Sequence, residues 1–386
     1  MSNIGEKINK LYTSNAEVDS IKILENQLIY DSLLFNNKLK RPFYLTWNIT
    51  NKCNLSCIYC SNKGDYTTDK VLNYIDMISA IDNINKLGIK HIRLLGGEPT
   101  LISNFNGILD YILSKNIYLS MSTNGIGINK NTINVLKKYS PLKYSINVSL
   151  DSLSREENAL NRGESSYDIA LQAINLINSI ENVNLTVYSV ITKNNEDSLY
   201  RNYLELNKMK IKNYGGTIAL LKGTAEPDMI LKINEELIDT LLEIKKISAQ
   251  KEENTNFYFN LGYRESDEVS YNKKKMNLKE LESDYIFRKN CNVGITRLHM
   301  ESNGDIYPCD HLKFNSFYLG NINDSENLES LWDNSIIDMI WRIRRSDKEN
   351  CKSCIHKSCG TGCMGLAYKK NGTLLLNDPN CKMVGK

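Results

Sequence analysis

The chain has 386 residues, 41% of them apolar, which is enough for more than one domain and a large buried core. Its 48 basic and 45 acidic residues are well mixed and leave a formal charge of +3, so composition implies no field that would gather nucleic acid or an anionic membrane. No apolar run approaches a membrane span, and the start, MSNIGEKINKLY, lacks the apolar core of a signal peptide, which points to the cytoplasm.

Residues 1–40 read as a polar N-terminal extension whose one amphipathic stretch, Ile21 to Leu34, suits a cap or a short partner-binding arm. From Pro42 onward, short β-branched or aromatic runs alternate with helix-period segments, the pattern of a parallel sheet built from βα units. Six strands are predicted: FYLTWNIT (43–50), HIRLLG (91–96), IYLSMST (117–123), YSINVSL (144–150), VNLTVYSVIT (183–192) and GGTIALL (215–221). The first intervening helix, about Asp69 to Leu87, carries Leu72, Ile75, Ile78, Ile81 and Ile84 as its expected apolar face. The expected fold is α/β, a partial (β/α)6 barrel of the TIM type over 41–230, with its chemistry at the carboxyl ends of the strands. A helix over about Asn234 to Gln250 opens a bridging segment, 231–290, whose Lys273-Lys274-Lys275 run reads as a solvated loop. The remainder, 291–386, is cysteine-dense, has one amphipathic helix around Leu328 to Arg342, and reads as a small metal-stapled domain.

Ten cysteines in a large chain without a leader suggest metal ligation rather than disulfides, and their clustering agrees: three lie between 53 and 60, seven between 291 and 381. Cys53, Cys57 and Cys60 follow the first strand as CxxxCxxC. Three thiolates at that spacing can hold three irons of a cubane and leave the fourth iron open, whereas a structural zinc wants four closed ligands. Here the chain resembles the radical S-adenosylmethionine (SAM) superfamily, whose CxxxCxxC follows the first barrel strand and whose open iron is chelated by SAM. That resemblance implies reductive cleavage of SAM to a 5'-deoxyadenosyl radical, and it assigns Gly96, Gly97 and Glu98 of the GGEP turn to the SAM amino group. Glu98 or its neighbouring carbonyls can accept from an ammonium. The resemblance also implies SAM contacts at Ser122 (in Ser122-Thr-Asn124-Gly125) and Ser149 (in Ser149-Leu-Asp151), and at Arg162, whose guanidinium suits a carboxylate. Backbone near Val190 and Leu220 is the expected adenine pocket.

In the C-terminal set, four cysteines can close one cluster and three can hold another with an open position, whereas tetrahedral zinc would strand a thiol. The pattern resembles the SPASM extension of peptide-modifying radical SAM enzymes, which carries two auxiliary [4Fe-4S] clusters, for three in all. By that resemblance Cys351, Cys354, Cys359 and Cys381 hold the outer cluster, and Cys291, Cys309 and Cys363 the inner one. Four residues separate Cys354 from Cys359 where the family usually has five, and the cysteine that closes the inner cluster in anaerobic sulfatase-maturating enzymes has no counterpart between Cys291 and Cys309. Asp310 matches the aspartate that serves those enzymes as general base, or is a solvated turn residue. The four histidines, His91, His299, His311 and His356, have no ligand spacing to one another and are expected on the surface or in the core.

The closing stretch, Cys359 to Cys381, looks most like the maturases of pyrroloquinoline quinone, mycofactocin and other ribosomal peptide products, and like tetrapyrrole side-chain enzymes. The resemblance therefore implies an oxidoreductase that crosslinks or oxidises a short precursor peptide, with decarboxylation of a tetrapyrrole propionate or a sulfatase-maturating dehydrogenation as alternatives. A flavodoxin or ferredoxin is the implied electron donor. Because residues 1–40 are too short for a winged-helix peptide-recognition domain, a leader peptide would need a separate leader-peptide-binding protein or another docking surface.

Overall fold

The computed structural model describes residues 38–63, 70–219, 222–231, 235–250, 254–260, 291–324, 328–343 and 362–376, with helical positions 21, 24, 25, 28, 29 and 32. Cys351, Cys354, Cys359 and Cys381 lie outside the described residues, as do Leu220, His356 and the lysine run at 273–275.

Alternating strands and helices build one sheet. Its first six strands are β1 (Tyr44–Asn48), β2 (His91–Leu95), β3 (Tyr118–Thr123), β4 (Tyr144–Ser149), β5 (Leu185–Ile191) and β6 (Asn213–Ile218). They run in sequence order, all parallel, as their βα connections require. Two further parallel strands extend the predicted six: β7 (Asn256–Asn260) beside β6 and β8 (Arg297–Met300) beside β1. β8 is short and carries little local signal, whereas β7 has three consecutive aromatics, Phe257 to Phe259, in a stretch otherwise charged and polar. β9 (Asp305–Tyr307) and β10 (Gly320–Asn321) continue past β8 antiparallel, leaving β10 and β7 as the edges of an open barrel.

Because side chains alternate across a strand, the sheet sorts its residues by face. Leu45, Trp47, Ile92, Leu94, Met121 and Val148 are buried in the main core under the helices. The opposite face is polar and half-buried, with Arg93 paired to Ser120, Ser120 to Ser145, and Ser122 to Asn147. A concave wall of hydroxyls, amides and a guanidinium is suited to holding a polar molecule.

The first helix, α1 (Tyr74–Lys86), is capped by Asn73, which accepts from the Asp76 amide. Its buried stripe is Met77, Ala80, Ile81 and Ile84, while Ile75 is 76% exposed. A strict three-residue step falls behind the helical turn by about 60° each time, so the expected Ile75–Ile84 face swings around the helix. The remaining helices of the core are α2 (Phe105–Ser114), α3 (Lys130–Lys137), α4 (Arg155–Arg162), α5 (Ser166–Asn178), α6 (Leu199–Lys208) and α7 (Glu235–Ser248). The single helix expected over 328–342 is two pieces, a 3-10 turn at Glu329–Leu331 and α8 (Ser335–Arg342), because Asn334 caps the second by accepting from Ile336. A last helix, α9 (Met364–Asn371), follows Cys363.

Leu24 and Leu28 pack on Phe43 and Tyr44 at the start of β1. Glu25 accepts from Asn292 Nδ2 (2.9 Å) and Thr296 Oγ1 (3.0 Å), and Trp332 Nε1 donates to the Leu39 carbonyl (2.7 Å). The N-terminal residues thus join the first strand to the cysteine-dense region. No helix among the described residues is long and apolar enough to cross a membrane.

Candidate active site

The loop carrying Cys53, Cys57 and Cys60 leaves β1 at the mouth of the barrel and is fastened on several sides. At its root, Gly97 N donates to Thr50 O (2.7 Å) and Glu98 N to Lys52 O (2.8 Å). A Cβ on Gly96 would stand 2.3 Å from Thr50 O, and one on Gly97 2.2 Å from Lys52 O, so both positions need glycine for the loop to lie against the β2 turn. Glu98 is buried, and its carboxylate accepts from Thr100 N and Oγ1, Thr123 Oγ1 (2.6 Å) and Asn124 N (2.7 Å). It ties the end of β2 to the end of β3. Asn124 in turn reaches Asn54 Oδ1 at 2.8 Å and lies 3.8 Å from Cys53 Sγ.

On the far side, Ile58 N donates to Asn161 O (3.0 Å), and Tyr59, inside the cysteine motif, is hydrogen-bonded to Asp151. Arg162 Nη1 donates to Tyr59 Oη (2.7 Å) and lies 3.7 Å from Asp151 Oδ1, while Val190 N donates to the same oxygen (3.0 Å). Burial pushes the Asp151 carboxyl up and Arg162 opposes it; burial also pushes the Tyr59 phenol well above its usual value. After β6, Gly223 sits at a φ of +64° where a Cβ would meet Cys60 O at 2.0 Å, and Thr224 N donates to that carbonyl (3.1 Å).

Sequence reasoning placed Ser122, Ser149 and Arg162 at this mouth. Ser122 and Ser149 lie half-buried on the inward face of β3 and β4. Arg162 is buried at 8% side-chain exposure against Tyr59 and Asp151, with its Nε unpartnered. In the backbone near Val190, expected at the adenine pocket, the Val190 amide donates to Asp151. Tyr59, Asn161, Gly223 and Thr224 were missed; their partners lie about 90 to 165 residues away in sequence, beyond any local signal.

A second thiol set gathers beyond β8. Cys291 precedes that strand, Cys309 follows β9 and Cys363 caps α9, its sulfur accepting from Leu366 N (3.5 Å). Val293, Leu312, Phe317 and Met364 pack around them. Next to Cys309, Asp310 Oδ1 stands 3.6 Å from Arg297 Nη2, which also donates to Thr46 Oγ1 (2.8 Å) on β1. Burial favours the neutral acid, but Arg297, with His311, His299 and Lys222, holds Asp310 below the usual carboxylate range. Behind this pair His299 and Glu301, both fully buried, meet at 2.7 Å, with Lys313 Nζ 3.2 Å from the same carboxylate. His299 and His91 are core residues, as expected, whereas His311 lies against Cys363.

Both thiol sets fit iron–sulfur ligation. Burial raises the Cys53 and Cys57 thiols, and each is raised further by its neighbours in the motif; burial raises Cys309 well above its usual value, with Asp310, Cys291 and Cys363 adding to the effect. Each thiolate in a set makes its neighbours costlier to ionise, and a metal that takes the thiolates relieves that cost. Among the described residues no three His, Cys, Asp or Glu side chains stand at the spacing of a single ion. A cubane seats each thiolate on its own iron and accepts such wider sets.

A model of the Radical SAM superfamily matches residues 47–206, and one of the SPASM iron-sulfur cluster-binding domain matches residues 291–359. The chain is a radical SAM enzyme with a C-terminal SPASM domain. Proteins of this architecture bind iron–sulfur clusters and SAM. This radical SAM/SPASM chain is 24% identical over 352 residues to the mycofactocin maturase MftC of Mycolicibacterium smegmatis, spanning 90% of this chain and 84% of the relative. It is 22% identical over 353 residues to the AdoMet-dependent heme synthase of Methanosarcina barkeri, spanning 88% and 96%. Streptococcus suis SuiB bound to S-adenosylmethionine superposes with a TM-score of 0.68 at 21% identity, over 99% of this chain and 88% of that one. SuiB has also been solved with its precursor peptide SuiA.

Proposed function

We propose that this radical SAM/SPASM enzyme modifies a ribosomally made peptide, forming a thioether or carbon–carbon crosslink or oxidising a side chain. The observation that carries the reading is a thiol set in the loop after β1 and a second one around β8, β9 and α9, β1 and β8 being neighbouring parallel strands. Likeness to a mycofactocin maturase and to SuiB, solved with a precursor peptide, supports a peptide as the substrate class.

Cys53, Cys57 and Cys60 would hold the SAM-binding [4Fe-4S] cluster, Cys291, Cys309 and Cys363 the inner auxiliary cluster, and Cys351, Cys354, Cys359 and Cys381 the outer one. When bound, these groups and SAM supply reductive cleavage to a 5'-deoxyadenosyl radical that abstracts a substrate hydrogen. The chain's own residues supply position. Since Glu98 is committed to four donors, backbone carbonyls of the 96–98 turn are the acceptors left to meet the SAM ammonium. Ser122 and Ser149 offer hydroxyls from the inner wall. Arg162, turned toward Tyr59, offers SAM its remaining N–H groups at the rim. Asp310, next to Cys309 and beside Arg297, would accept a proton from the substrate. The N-terminal helix is engaged in packing against β1, so a separate leader-peptide-binding protein would present the peptide, and a flavodoxin or ferredoxin would deliver electrons in the cytoplasm.

The test is anaerobic reconstitution, iron and sulfide analysis, and incubation with SAM, dithionite and the peptide encoded by a short neighbouring reading frame, followed by mass spectrometry. About twelve irons per chain and a peptide product lighter by two hydrogens are expected. A second substrate class is favoured by the match over 96% of the heme synthase's length. Loss of carboxyl groups from an iron tetrapyrrole, with the peptide untouched, would replace the peptide reading.

A further inference from the structure

The reaction outlined above uses none of the described histidines; two of them, His91 and His299, are buried in the core, while the third, His311, lies partly exposed against a cysteine sulfur. Its Nδ1 lies 3.1 Å from Cys363 Sγ. Its side chain is 24% exposed, and Nε2 on the open side lies 3.6 Å from Asp310 Oδ2, too far for a hydrogen bond. The contact with sulfur is built into the fold from both ends. Residue 311 is set by the turn after β9, where Leu312 N donates to Cys309 O (3.1 Å). Cys363 is set as the N-cap of α9. Gly365, in the first turn of α9, lets the helix lie directly on His311: a Cβ there would stand 2.4 Å from His311 Cβ and 2.7 Å from its carbonyl oxygen.

A cysteine sulfur bound to iron carries no proton, so the hydrogen in this contact belongs to the imidazole and Nδ1–H is the donor. A separation of 3.1 Å is that of a donor resting on the sulfur itself; an imidazole bound to a different iron corner would stand farther away. Cys363 Sγ would then receive two N–H groups, from His311 and from Leu366 at 3.5 Å, at the positive end of a helix. Donors to cluster sulfurs and nearby positive dipoles favour the reduced, more negative state and raise the reduction potential.

We propose that His311 is a positioning residue that raises the reduction potential of the inner auxiliary cluster by donating Nδ1–H to the sulfur of Cys363. The proposal rests on the assignment of Cys291, Cys309 and Cys363 to one cluster and is independent of what the substrate is. It makes the inner cluster a better electron acceptor than it would be without the imidazole.

The experiment is a redox titration of the anaerobically reconstituted full-length protein, without SAM or substrate, followed by electron paramagnetic resonance. His311→Leu is expected to move one midpoint potential to a more negative value, leaving the others and the iron content unchanged, and His311→Asn, whose amide N–H can occupy the Nδ1 position, is expected to restore most of it. Unchanged potentials in fully loaded His311→Leu would overturn the proposal. Should that variant lose iron, the wild type decides: with 15N-labelled histidine, of which the chain has four, pulsed resonance of the reduced inner cluster should show one weak nitrogen coupling that His311→Asn removes. A strong coupling, as from an iron–nitrogen bond, or none at all, would overturn it. Cys363→Ala separates the two layers: an inner-cluster signal that persists there removes the ligand assignment itself, whatever His311 does.

Discussion

The two thiol sets are held in different ways, and the difference bears on how each would respond to losing its cluster. The Cys53–Cys60 loop is fixed by directional polar contacts from outside itself: the β2 turn at its root, Asn124 from β3, Asp151 and Arg162 through Tyr59, and Thr224 after β6. These contacts do not involve the metal, so the seat exists before the cluster arrives. Cys291 and Cys309 instead lie in the turns before β8 and after β9, strands that are themselves part of the sheet, while Cys363 caps α9, and what draws these three positions to one another is a small apolar cluster and a few hydrogen bonds. A cluster seated there would be part of what holds these three positions together.

The largest contrast should come from removing one ligand at each site. Cys57→Ala is expected to abolish SAM cleavage, read as 5'-deoxyadenosine, while leaving the unfolding transition of the cluster-free protein where it was. Cys309→Ala should retain some substrate-free cleavage but make the region after residue 291 sensitive to protease. Equal protease resistance in the two variants would remove the distinction drawn here.

Next in size is Gly223→Ala, which adds a Cβ 2.0 Å from Cys60 O at a left-handed backbone position. The conformation alone costs about 1–2 kcal/mol, and relieving the clash displaces Cys60, so both unfolding free energy and iron retention should fall. Full iron content with unchanged stability would show that the loop after β6 does not brace the cysteine loop. Tyr59→Phe removes the hydroxyl between Arg162 and Asp151 and should cost about 1–3 kcal/mol, with a several-fold loss of SAM cleavage. A wild-type rate in that variant would limit the triad to stability.

The smallest effect is expected at Glu25, which links the N-terminal helix to the approach to β8. Burial raises its pKa in the folded protein, so its contribution is greatest below the ordinary carboxylate range and is lost as pH rises through the raised value. Glu25→Gln keeps an acceptor for Asn292 and Thr296 and should flatten that part of the stability–pH curve, with a slight gain at neutral pH. Denaturant titrations of the cluster-free protein at several pH values would detect it, and parallel curves for the two proteins would exclude it.

Much of this arrangement was legible in the sequence because its signals are local. CxxxCxxC, the GGEP turn and six strand-like runs each occupy a few consecutive residues, and all six strands form where they were expected. Glu98 was legible as important but not in its manner, since only the fold brings Thr123 and Asn124 to its carboxylate. Arg162 shows the same limit: its charge suggested a ligand, and Tyr59, a hundred residues earlier, claims part of it. β8 escaped notice because a four-residue strand depends on the neighbour it joins, whereas the three aromatics of β7 were a local signal lost within the charged, Tyr-rich stretch around it. The expected face of the first helix holds for Leu72, Ile78, Ile81 and Ile84 and fails at Ile75, where a spacing of three was taken for a spacing of 3.6.

The pairing of β8 with β1 has a consequence for how this chain can be divided. Trimming it before residue 291 would look like the clean removal of an accessory module, but it would strip the neighbour from a completely buried strand. The backbone donors and acceptors of Tyr44 through Trp47 would become an open edge beside the apolar core, a template for pairing with another copy. A barrel so shortened would be expected to self-associate, and an iron–sulfur extension that reads as an appendage in the sequence is, for the first strand, the strand that closes its side.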